Sequence, residues 1–172
     1  SKAWAFDLVG QGTTLILGLR LARDMMLADE TINTVLLAGG TRNIDLVDPA
    51  NPDTRFLLPY GASGGALVLK RGCTENQLLA VQIQGDPALA DMVFVPGGGT
   101  EIPYAQDNLD SELMSYQVAE PEVLAPYLEN EFPDRLATVA EDVLNEAKPD
   151  YLALPHLNPA QRALILGWLK LE

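Results

Sequence analysis

The chain has 172 residues, 48% of them hydrophobic, enough for one domain with a sizeable core, which excludes general disorder. Its 11 Lys and Arg stand against 24 Asp and Glu, a formal net charge of −13, so its surface repels nucleic acid and anionic membranes, whose binding needs basic residues to displace counterions. No run of about 18 apolar residues occurs, so no membrane-spanning helix is expected.

The first expected element is a buried strand, Ala5-Phe6-Asp7-Leu8-Val9, which runs through Gly10-Gln11-Gly12 into a helix. Thr13 is placed to cap that helix, and the apolar pattern carries it to about Ala28. Leu15, Leu19, Ala22 and Met26 share one face, with Ile16 beside them, while Arg20, Arg23 and Asp24 lie on the other. Gly18 costs the helix about 1 kcal/mol relative to Ala, which points to close packing of another backbone. Thr34-Val35-Leu36-Leu37-Ala38 reads as a buried parallel strand, closing a right-handed βαβ unit.

Pro49, Asn51, Pro52 and Asp53 mark a loop. Tyr60-Gly61-Ala62-Ser63-Gly64-Gly65-Ala66 lets the backbone pass close to something, and Leu67-Val68-Leu69 continues it as a central, buried strand. A turn containing Cys73 follows. As the only cysteine, Cys73 leaves no internal disulfide and no cysteine-based zinc site. Residues 78–84 alternate, with Leu79, Val81 and Ile83 on one face, and read as a half-exposed strand. Residues 85–120 are irregular and rich in Pro and Gly, which is uncommon in a compact domain unless the segment is functional.

Asp134 opens a helix with Leu136, Val139, Ala140, Val143 and Leu144 along one side, and Lys148-Pro149 stops it. Residues 150–154 read as a strand, Pro155-His156-Leu157-Asn158 as the loop at its C-terminal end, and Pro159 as the first position of a final helix. The chain starts almost directly on an apolar strand, without an initiator Met or a secretory signal pattern, and stops inside an amphipathic helix. A fragment or a proteolysed remnant is the expectation, with the cytoplasm as location.

In open α/β sheets ligands sit beyond the C-terminal ends of parallel strands. Two loops are expected there: residues 10–14, with backbone N–H groups at a helix start suited to an oxyanion, and residues 155–158, with the only histidine. A dinucleotide fingerprint would need glycine where Leu15 stands, and no Gly-Lys-Ser/Thr follows, so nucleotide binding is disfavoured. Asp107, Asp110 and Glu112 lack calcium-loop spacing and read as a solvated acidic loop; no metal and no cofactor is expected.

Several segments, taken in order, resemble the 3-oxoacyl-acyl-carrier-protein synthase III (beta-ketoacyl-ACP synthase III) family of the thiolase superfamily. Ala5-Phe6-Asp7 and the small residues after it are similar to the nucleophile strand, and residues 36–40 to the strand beneath the active site. Tyr60-Gly61-Ala62-Ser63-Gly64-Gly65-Ala66 resembles the Phe-Gly-Asp-Gly-Ala-Gly-Ala segment. Pro96-Gly97-Gly98-Gly99-Thr100-Glu101-Ile102-Pro103 is similar to the Gly-rich loop between the family's halves, and Pro155-His156 matches the start of Pro-His-Gln-Ala-Asn.

The resemblance implies a thiolase-like layered α/β/α/β/α core, incomplete in this chain, with residues 1–72 as the later part of the first half and 73–172 as the earlier part of the second. It implies an acyltransferase that condenses an acyl thioester with a malonyl thioester in fatty-acid or polyketide synthesis. Its substrates would be carried on coenzyme A or acyl carrier protein. A homodimer would form through the strand at residues 5–9, and no further cofactor is implied. In the family a cysteine at a helix start takes the acyl group, and a His and an Asn stabilise the enolate.

Four departures follow. Gly12 stands at the nucleophile position, Leu157 and Pro159 replace the Gln and Asn, Ala62 replaces the Asp, and the family's Asn-bearing segment lies beyond this chain. His156 is therefore the one catalytic residue that carries over, with Gly12, Thr13 and Asn158 as substrate-binding positions. The alternative is a non-catalytic thiolase-fold partner subunit or thioester-binding protein. An acidic carrier protein would need a basic patch, for which Arg20, Arg23, Arg42, Arg55, Lys70 and Arg71 are the candidates of the first half.

Overall fold

A computed structural model describes residues 3–109, 112–144, 149–154 and 158–170. They are a mixture of helices and small sheets and divide into two units. The first comprises Ser1–Gly40 and Gly64–Ile83, the second Thr41–Ser63 and Gln84–Glu172. Charge divides with them. In the first unit Lys2, Arg20, Arg23, Lys70 and Arg71 balance Asp7, Asp24, Asp29, Glu30 and Glu75, so the whole of the −13 belongs to the second.

The first unit is built on α1 (Thr14–Ala28), entered through a 3-10 turn at Gln11–Thr13. Its buried stripe is Gly18, Ala22 and Met26, four residues apart and so on one face. Leu15 and Ile16, expected in that face, are exposed. A Cβ at Gly18 would meet Leu37 Cδ2 at 3.5 Å and Leu8 Cδ2 at 3.7 Å. Gly18 thus faces side chains at ordinary contact distance and not the backbone expected from its residue type.

β1 (Thr34–Thr41) and β2 (Ser63–Lys70) form a two-stranded sheet. Gly64 lies against Gly39, while the Arg71 N–H donates to the Asn33 carbonyl at 2.9 Å, so the strands run antiparallel. This corrects two expectations. β1 pairs with an antiparallel partner, and β2 is exposed along nearly its whole length rather than central and buried, with Val68 67% exposed. Residues 5–9 lie in no ladder, so the βαβ unit is not completed among the described residues. Trp4 and Phe6 stack there, ring centroids 5.3 Å apart, both exposed. Residues 78–84 also stay outside any ladder. A two-stranded ribbon has few neighbours: α1 reaches Leu37 at Gly18, and Val35 and Leu37 are half-buried, while Leu36 and Val68 stay exposed.

The second unit has a better-covered core. Two Asx turns, Ala50 N–H to Asp48 Oδ1 and Asp53 N–H to Asn51 Oδ1, start its 3-10 turn Pro52–Leu57, in which Thr54 is fully buried. That turn packs on β4 (Gln117–Val118), which pairs antiparallel with β3 (Val93–Phe94). This small ribbon lies within the stretch expected to be irregular. The helical run starts earlier than Asp134. It comprises α2 (Pro121–Pro126), a π turn (Tyr127–Glu131) and α3 (Phe132–Leu144). Pro133 has no N–H to continue an α ladder, and the widened turn lies immediately before it.

Leu136, Val139, Ala140, Val143 and Leu144 are half-buried as expected, and Pro133 and Ala137 go deeper. α4 (Pro159–Trp168) packs along α3 with Ile165 fully buried. Burial of such a side chain is worth about 1.5–3 kcal/mol. Residues 151–154 join no ladder. Among the described residues no helix is long and apolar enough to cross a membrane.

Candidate functional site

The corner before α1 is held by short-range bonds. The Gly10 carbonyl accepts both the N–H and the hydroxyl of Thr13, at 3.1 and 2.8 Å. The Gly10 N–H donates to Thr14 Oγ1 at 2.9 Å, and that hydroxyl donates to the Gln11 carbonyl at 2.7 Å. Gln11 takes the strain of the bend, with φ 48° in the left-handed region. The 3-10 ladder begins with the Thr13 N–H, so the preceding N–H groups of Gln11 and Gly12 have no acceptor within the helix.

Gly12 carries no side chain into this corner, and a Cβ there would meet nothing within 4 Å. The position is open and sterically able to hold a larger residue. Thr13 stands at the N-cap, yet its hydroxyl turns back to Gly10 and caps no helical N–H. The neighbouring Gly10 is tighter: a Cβ there would lie 3.3 Å from Leu17 Cδ2.

His156, with Pro155 and Leu157, lies outside the described residues, as does Lys148. Asn158 is described and has a clear local role. Its Oδ1 accepts the Gln161 N–H at 2.9 Å, and its own N–H donates to Gln161 Oε1 at 3.1 Å, a reciprocal capping box that starts α4. Gln161 Nε2 also donates to the Leu128 carbonyl at 2.7 Å, which fastens the start of α4 to the π turn. The sequence reading missed this box, although Asn-Pro-x-Gln is its signal.

The Gly-rich loop is tightly folded. The Gly97 N–H donates to the Leu113 carbonyl at 2.7 Å and the Gly98 N–H to the Ile102 carbonyl at 2.8 Å. Gly98 has φ 89°, and a Cβ on Gly97 would come within 2.9 Å of the Leu113 oxygen. Glycine is required at both places, by conformation at one and by space at the other.

Most of the candidate cations are engaged internally. Arg20 and Arg23 both pair with Asp24, Arg42 pairs with Asp45, and Arg71 bonds main-chain carbonyls. Arg55 and Lys70 are exposed and form no ion pair among the described residues. The exposed Cys73 lies in the turn after β2, in the same unit as the corner.

Residues 6–87 match the family described as 3-Oxoacyl-[acyl-carrier-protein (ACP)] synthase III. The beta-ketoacyl-[acyl-carrier-protein] synthase III of Aliarcobacter butzleri (strain RM4018) is 25% identical over 113 residues, 66% of this chain and 33% of that protein. The matched stretch therefore spans a third of that relative's length.

Proposed function

From the match of residues 6–87 to the 3-oxoacyl-[acyl-carrier-protein] synthase III family, we propose that this chain is part of a protein that handles acyl thioesters, carried on coenzyme A or on acyl carrier protein. The family match carries the reading. The proposed reaction class is acyl transfer of the condensing type, in which a malonyl thioester loses carbon dioxide and its carbanion displaces a thiol from an acyl thioester. In the corner at residues 10–14 the N–H groups of Gln11 and Gly12, which have no acceptor within the helix, would donate to the thioester oxygen, and His156 would steady the enolate. The proposed architecture is the thiolase-like layered core, the proposed assembly a homodimer, and the proposed location the cytoplasm.

Gly12 favours the second reading, a partner subunit or thioester-binding protein without a covalent step. With no side chain at that position, no thioester can form on it. In this reading Asn158 serves α4 as its cap, in keeping with the capping box.

The test uses Cys73→Ser as background, so that no other thiol reports. Acyl-coenzyme A is offered to that protein and to the same protein with Gly12→Cys, and intact mass and binding are read. Acyl mass gained by Gly12→Cys alone supports a synthase-type corner that has lost its nucleophile. Binding by both, with mass gained by neither, supports the thioester-binding reading. No binding and no acylation in either overturns the proposal.

A further inference from the structure

We draw no further inference here: the strongest candidate, the apolar surface that the stacked Trp4 and Phe6 and the exposed strands β1 and β2 leave bare in the first unit, carries nothing beyond the self-pairing already proposed, because nothing in the structure shows what else covers it.

Discussion

The guanidinium of Arg71 donates to the main-chain oxygen of Asp29 at 3.0 Å. It also reaches the carbonyls of Ile32, at 3.0 and 3.2 Å, and of Met26. Arg71 follows the last residue of β2, and its acceptors lie in and just beyond the last turn of α1. The final carbonyls of a helix lack internal partners and carry its negative dipole end. One cation thus meets the Met26 carbonyl of the last turn and the Asp29 and Ile32 carbonyls just beyond it, and ties the helix to the end of the strand. Arg71→Met should cost about 2 kcal/mol, since charged hydrogen bonds are worth about 1.5–3 kcal/mol each and water can replace part of them here. Arg71→Lys should recover less than half, because an ammonium cannot span the same set of oxygens. Urea denaturation of the three proteins checks both figures.

Gly12, Gly97 and Gly98 should answer alanine differently. Gly12→Ala meets open space at an ordinary φ and should change stability by less than about 0.5 kcal/mol. Gly98→Ala forces a Cβ into the left-handed region and against the Tyr104 side chain, costing about 1 kcal/mol or more. Gly97→Ala meets the Leu113 carbonyl oxygen, a backbone atom that also accepts the Gly97 N–H, so relief would break that bond. Thermal melts should therefore rank Gly97→Ala and Gly98→Ala well below Gly12→Ala.

Asn158 offers a clean division between a cap and a binding group. Asn158→Ala should destabilise by about 1 kcal/mol through loss of the N-cap. Asn158→Asp and Asn158→Ser keep an acceptor for the Gln161 N–H and should retain most of that stability. Thioester affinity that falls in Asn158→Asp while the melting temperature holds would place a substrate contact on this residue as well.

Asp29 sets a pH response. The Thr31 hydroxyl, and then the Thr31 N–H, donate to its carboxylate and hold its pKa below the ordinary 3.8. A carboxyl lowered in the folded state adds stability above its unfolded pKa and loses it as pH falls through the folded value. The added stability is thus complete at neutral pH and fades below about 3.8. Asp29→Asn should flatten that part of the acid-denaturation curve. Its slope should fall most at the acid end and not near neutrality.

The proposed self-pairing through residues 5–9 is testable by charge. Trp4→Asp with Phe6→Asp introduces like charges on both copies at the exposed aromatic pair. Sedimentation should then show a dimer for the unaltered chain and a monomer for the variant. A monomer in both cases removes this contact from the reading.

Helix α1 was legible because its determinants are local: a polar start, a repeating apolar stripe and a length that ends at Ala28. The same holds for α4, where Pro159 sits in the first turn as expected. Strand burial was not legible. Val68 and Leu36 belong to sequences that read as core, yet whether they are covered depends on neighbouring strands, which a residue pattern does not encode. The helical run from Pro121 was not expected before Asp134; it contains Pro121, Pro126 and Pro133, a residue type disfavoured in a helix interior. In the structure Pro121 opens α2, Pro126 closes it, and Pro133 stands second in α3 after the π turn. The corner at residues 10–13 was placed correctly as a helix start, but the extended residues before it form no ladder.

The confinement of excess negative charge to the second unit makes the molecule lopsided toward its ionic surroundings. Crowded carboxylates push on one another most in dilute buffer, where the screening length is long, so added sodium chloride should steady the second unit and leave the balanced first one nearly indifferent. An anion-exchange resin would hold this protein through its second unit.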